Sequence, residues 1–259
     1  MKIGVFDSGA GGLSVVKSLL EHKLFDEIIY YGDTARVPYG TKDKNTIIRY
    51  SLEALEFFNN FDIDLLITAC NTVSAYALKE MREVSKYEII GVIEPGIMAL
   101  ENKVVDKNAS ILITATRATI ASQRYQNALL ERGYSNITAL QTGLFVPLVE
   151  EGINSGPILT EMMNYYFKDI SAPAAIILGC THFPLIGHSM QNYFAHKPLL
   201  IHSGEAIVEY LELHHGVTNR FSQSDLKIFA SDNVEGLRTI AKEWLGTLGT
   251  SEKQNYPSH

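Results

Sequence analysis

The chain carries two cysteines, Cys70 and Cys180, in matching settings. The first closes the run Asp64-Leu65-Leu66-Ile67-Thr68-Ala69-Cys70-Asn71-Thr72, the second Ala175-Ile176-Ile177-Leu178-Gly179-Cys180-Thr181-His182. Each is an apolar run ending in a small residue, then Cys, then an amide or hydroxyl side chain. A parallel strand buried on both faces reads this way, and open α/β sheets hold ligands just past the carboxyl ends of such strands. Two thiols at two such ends suggest one site with a sulfur on each side. The chemistry that most needs this arrangement takes a proton from one face of a carbon and returns one to the other. The plain alternative for either cysteine is a packed core position, since free Cys behaves as a small hydrophobe. A disulfide between them is disfavoured in a reducing compartment.

Other reactive residues cluster at strand ends. His182 lies two residues past Cys180, where an imidazole can hold a thiolate or relay its proton. Asp7 ends the first apolar run, placed to cap a turn or to tune a neighbouring base. Gly9-Ala10-Gly11-Gly12 follows it. This is neither a dinucleotide fingerprint nor a P-loop. It reads as a tight strand-to-helix turn whose bared N–H groups can bind an anion. Pro38-Tyr39-Gly40 lies in a long loop, and long loops often carry sites. Thr114, Thr116 and Thr119, with Ser122 beyond, can cap a helix or donate to a carboxylate without adding charge. The eight histidines form no metal-ligand pattern. His214-His215 is expected to close a helix before Gly216.

Strands are expected over Lys2–Asp7, Glu27–Asp33, Asp64–Cys70, Glu88–Glu94, Ser110–Ala115, Asn136–Thr142, Ala174–Cys180, Pro198–Ser203 and Asp225–Ser231. Helical periodicity fills most gaps, clearest in Asn45–Asn60 and in Val234–Leu245. Repeated βα units imply α/β domains with doubly wound parallel sheets. The cysteine strands and the hydroxyl-bearing turns recur in both halves, so two domains related by a weak pseudo-two-fold are expected, with the active site in the cleft between them. Pro95-Gly96 suggests a boundary. The expected domains are 1–94 plus 209–250, and 95–208, with a frayed tail at 251–259.

With 46% hydrophobic and 20% charged residues the chain is globular rather than disordered. A net charge of -7 gives no reason to expect a nucleic-acid partner. No apolar stretch reaches the ~18 to 20 residues that span a bilayer. No leader pattern opens the chain, and a cytoplasmic location is expected.

Taken together, Phe6-Asp7-Ser8-Gly9-Ala10-Gly11-Gly12-Leu13-Ser14-Val15, Pro38-Tyr39-Gly40, Ala69-Cys70-Asn71-Thr72, Leu144 to Glu150 and Gly179-Cys180-Thr181-His182-Phe183-Pro184-Leu185 resemble the glutamate racemases. The resemblance runs from Lys2 to about Leu245. It implies two facing α/β domains, interconversion of L- and D-glutamate, supply of D-glutamate for bacterial peptidoglycan, and a homodimer. It implies no pyridoxal phosphate, no metal and no other cofactor. By the same resemblance Cys70 and Cys180 are the acid/base thiols, assisted by Asp7 and His182 respectively, and Glu150 is linked to activity. Ser8, Pro38, Tyr39, Gly40, Asn71, Thr72, Thr116, Thr119 and Thr181 are implied to line the substrate. Thr142-Gly143 departs from the Cys-Pro found in many members, away from the thiols. Two readings stay in competition: a racemase for another amino acid such as aspartate, and a two-lobed binding module that needs the cleft but not the thiols.

Overall fold

The structure is a computed structural model that describes residues 1–218 and 220–249. The tail expected at 251–259 lies outside the described residues. The first part runs β1 (Lys2–Asp7), α1 (Leu13–Glu21), β2 (Glu27–Gly32), α2 (Lys44–Phe58), β3 (Leu65–Thr68), α3 (Asn71–Tyr76), α4 (Leu78–Val84), β4 (Glu88–Gly91) and α5 (Ile93–Lys103). The second runs β5 (Ile111–Ala115), α6 (Arg117–Ala121), α7 (Arg124–Glu131), β6 (Ile137–Gln141), α8 (Phe145–Glu150), α9 (Pro157–Phe167), β7 (Ala175–Gly179), α10 (Gly187–Tyr193), β8 (Leu199–His202) and α11 (Ser203–His214). Then come β9 (Asp225–Ala230) and α12 (Val234–Leu245).

The strands form two sheets, both wholly parallel. The first has the order β4-β3-β1-β2-β9, the second β6-β5-β7-β8. Read from its other edge, the second is β8-β7-β5-β6, the same winding as β4-β3-β1-β2. The repeat expected from the sequence is therefore real in topology: β1 matches β5, and the cysteine strand β3 matches β7. In each sheet the winding reverses beside its first strand, which opens a crevice at the strands' carboxyl ends. Asp7, Ser8 and Cys70 lie at one crevice, Thr116 and Cys180 at the other.

Burial explains why these strands were legible. β3, β5 and β7 are buried along their whole length, so their sequences are apolar runs. β6 is an edge strand with no fully buried residue and reads weakly. The nine expected strands all form, several of them shorter at the carboxyl end, where the chain turns into a helix. Cys70 caps α3 rather than ending β3. Glu94-Pro95-Gly96 lies in the first turn of α5. Proline is tolerated there because the first-turn N–H groups have no intrahelical acceptor. α11 ends at His214, and Gly216 follows with φ +61.

The two units meet through helices as well as at the crevices. α11 packs on both α5 and α1. Trp244 of α12 packs against the cores beside both sheets. Among the described residues, no helix is long and apolar enough to cross a membrane.

Candidate active site

One pocket lies where the two crevices face each other. The first unit contributes Ser8, the Val37–Gly40 loop and Cys70-Asn71-Thr72 to its wall. The second contributes Thr116, Val146, Gly179, Cys180, Thr181 and His182. Eleven of the fourteen residues predicted from sequence are on this wall. Thr119, Asp7 and Glu150 stand behind it. Val37, Val146 and Gly179 were missed, although each adjoins or interrupts a motif already singled out.

The Cys180 side is a chain of three groups. The thiol sulfur lies 3.7 Å from His182 Nδ1, and His182 Nε2 lies 3.1 Å from Glu150 Oε1. Helix α8 explains the placement of Glu150. It falls one turn after Val146, so one helix face gives both a pocket wall and a partner for the imidazole. Burial works against a charged His182. Hydrogen bonds to Cys180 and Glu150, with the negative charges of Cys180 and Asp7, outweigh it and carry the imidazolium up to about 10.

On the Cys70 side the surroundings differ. The thiol donates to Ser8 Oγ at 3.5 Å. Burial, then the nearby Asp7 charge, pushes Cys70 up to about 12. Asp7 is fully buried. Burial raises its own pKa, while His182, the N–H groups of Gly9 and Gly12, and Thr181 pull it back. Gly9 N donates to Asp7 Oδ1 at 3.0 Å, and Thr181 Oγ1 donates to Asp7 Oδ2 at 3.2 Å. The anion held by the glycine turn is thus the protein's own carboxylate. Asp7 acts on Cys70 as a charge and is hydrogen-bonded across the cleft to the residue after Cys180.

Two glycines allow the units to approach this closely. A Cβ on Gly11 would meet Thr181 Oγ1 at 2.2 Å and His182 Nδ1 at 2.6 Å. On Gly40 it would meet Thr116 Cβ at 2.4 Å. The loop carrying Gly40 is held from below and from across. Asp33 Oδ2 accepts from Tyr39 OH and from Arg36 Nε, and Arg117 Nη2 donates to Thr41 O at 2.8 Å.

Three threonine hydroxyls close the far wall. Thr72 lies 3.1 Å from both Thr116 and Thr119, which lie 3.1 Å from each other. Thr119 is fully buried and holds the other two from behind. Thr114 is turned away, donating to Ile177 O at 3.2 Å within the sheet. Among the described residues, no three His, Cys, Asp or Glu side chains group so as to hold a metal ion.

Paired α/β units with a hydroxyl-rich pocket and a thiol from each define a class of protein suited to acid/base chemistry at two faces of one small molecule. The chain belongs to the Asp/Glu/Hydantoin racemase family, whose pattern matches residues 9–211, and it is an isomerase of that family. It is 60% identical over 245 residues to a glutamate racemase of a Nitratiruptor species, covering 95% of this chain and 96% of that one. A Campylobacter jejuni glutamate racemase is 58% identical over 248 residues, covering 96% of this chain and 99% of its own. A crystal structure of the C. jejuni enzyme matches with a TM-score of 0.95, over 96% of this chain and all of that one. A Francisella tularensis glutamate racemase in complex with D-glutamate matches with a TM-score of 0.84 at 31% identity, over 96% of this chain and 95% of that one.

The raised pKa of His182 has a consequence for stability. The folded protein holds this proton more tightly than the unfolded chain, whose imidazole titrates near 6.5. The stabilisation is complete below that value and is lost as pH rises through about 10. Between pH 6.5 and about 8.5, before free thiols ionise, stability should fall by about 1 to 3 kcal/mol. Urea unfolding followed by Trp244 fluorescence checks this. His182→Asn should remove that share of the fall, and an unchanged pH slope in the variant would contradict the assignment.

Proposed function

We propose that this chain interconverts L-glutamate and D-glutamate, with one thiol removing the α-proton and the other protonating the opposite face. The observation that carries this reading is a single pocket walled by Cys70 from one unit and Cys180 from the other. Inverting a carbon by proton transfer needs a base and an acid on opposite sides. The resting protein suits one direction already. Cys70, with its high pKa, holds a proton to give, and Cys180 lies 3.7 Å from the His182 ring. Cys180 then takes the proton of L-glutamate, and Cys70 that of D-glutamate after the roles exchange.

The carbanion formed in between requires donors aimed at its carboxylate. Ser8, Asn71, Thr72, Thr116 and Thr181 supply them without a fixed positive charge. The threonine hydroxyls satisfy each other and can turn to a ligand without leaving a buried donor unpaired. The α-proton of L-glutamate moves to the Cys180 sulfur, and His182, which keeps its own proton and is backed by Glu150, steadies that sulfur whenever it is negative. Asp7 strengthens Cys70 as a base once it is ionised, because its charge disfavours the thiolate. The two thiols and the imidazole supply both acid and base, so the reaction needs no pyridoxal phosphate and no metal. Glutamate is favoured as substrate by the names of the similar enzymes and by the D-glutamate complex of one of them.

We further propose domains of 1–94 with 209–250, and 95–208. The pairing of β9 with β2 supports the return of the closing segment to the first sheet. A cytoplasmic homodimer supplying D-glutamate for peptidoglycan completes the reading.

Circular dichroism of glutamate solutions tests the thiols. Cys70→Ala and Cys180→Ala should each lose at least about 1000-fold in racemisation. Near-normal inversion by either variant would sink the two-thiol mechanism.

The faces are tested through the neighbours. Mirror-image substrates have an equilibrium constant of unity, so kcat/KM must change equally in both directions for any variant. Asymmetry shows instead in primary isotope effects. Asp7→Asn should raise the effect most with α-deuterated D-glutamate, and His182→Asn most with the L isomer. The reverse pattern would place the sulfurs on the other faces.

A further inference from the structure

Helix α3 starts immediately after Cys70, and its two ends are held by consecutive residues of the opposite unit. At its start, Tyr125 OH donates to Asn71 Oδ1 at 2.6 Å. At its end, Arg124 Nε donates to Ala75 O at 3.2 Å, meeting a carbonyl that the helix itself leaves unpaired. Both residues open α7, just after Gln123, whose φ of 56 is unusual for a residue with a side chain. The chain thus adopts a disfavoured conformation at the point that delivers Arg124 and Tyr125 to α3. Asn71 has a second partner across the same interface, donating from Nδ2 to Ser203 Oγ at 3.3 Å. All three side chains of this bridge are buried.

We propose that Tyr125 is a positioning residue that fixes the Asn71 amide as a hydrogen-bond donor toward the substrate's carboxylate. This rests on the racemase reading above. An amide can present either its oxygen or its nitrogen, and only the nitrogen suits an anion. The Tyr125 phenol, kept protonated by burial and the nearby Cys180 charge, is a committed donor. It takes the oxygen. The nitrogen is left with one hydrogen for Ser203 and one for the pocket that Asn71 lines. Because Tyr125 and Ser203 both belong to the second unit, Asn71 is correctly turned only when the two units sit as they do here.

Steady-state racemisation by the full chain, with Asn71→Ala as partner variant, tests the proposal. Tyr125→Phe keeps the ring and removes only the phenol. It should raise KM for both enantiomers about tenfold, with kcat changed by less than about threefold. In the Asn71→Ala background the same change should have no further effect on KM, since the phenol has nothing left to orient. An unchanged KM in Tyr125→Phe, or an equal KM effect in both backgrounds, would overturn the proposal. A parallel loss of kcat and thermal stability without a KM effect would overturn it too, in favour of a packing role. Ser203→Ala, read through the same cycle, gives a second and independent reading if Tyr125→Phe fails to fold. Failure of the wild-type protein to racemise glutamate would overturn the function itself. Wild-type turnover without coupling would overturn only the role of Tyr125.

Discussion

A tetrahedral carbon presents two faces, and a side chain that reaches one cannot reach the other. On the proposed reading, this constraint governs the molecule. It demands two acid/base groups on separate walls, brought to within a substrate's width. Packing two α/β units edge to edge meets the demand only if their strand ends almost touch. Gly11 and Gly40 permit that approach, since a methyl group at either would strike Thr181 or Thr116. The Asp7 to Thr181 hydrogen bond and the threonine triangle tie the walls together once they meet. The same closeness buries the thiols, which is what raises Cys70 so far.

The shared winding of the sheets gives the two thiols equivalent places in topology, yet their electrostatic settings differ. Cys70 faces a hydroxyl and feels a buried carboxylate. Cys180 faces an imidazole backed by a half-exposed carboxylate. A catalyst for both directions needs one proton on one sulfur at a time, and unlike surroundings define where it rests. His182 couples the two sides, because the charge on Asp7 also helps hold its proton. Mirror-related positions with unlike partners therefore fit a reaction whose product is the mirror image of its substrate.

Much of this was legible in the sequence because it rests on local pattern. Central parallel strands must be apolar on both faces, so β3 and β7 announced themselves, and residues just past them line the pocket. The hydroxyl turns and the Pro38-Tyr39-Gly40 loop were visible for the same reason. What was not legible depends on contacts between distant segments. Nothing local says that the Gly9–Gly12 turn holds Asp7 rather than a ligand. Nor does anything local say that Gly11 exists to make room for Thr181 and His182. Thr119 looked like a wall residue because it belongs to a threonine cluster, but one helical turn places it behind Thr116. Tyr125 and Ser203 carry no motif at all. They matter because α7 and α11 reach across to Asn71.

The central claim is that separate groups serve the two faces, and early turnover of protiated L-glutamate in deuterium oxide tests it most directly. Proton NMR with chiral separation follows the α-hydrogen of each enantiomer. Two separate thiols predict that D-glutamate appears fully deuterated while the remaining L-glutamate keeps its original hydrogen. Deuterium in the recovered L-glutamate at the same early rate, or protium carried over into the product, would mean that one group serves both faces and would contradict the account.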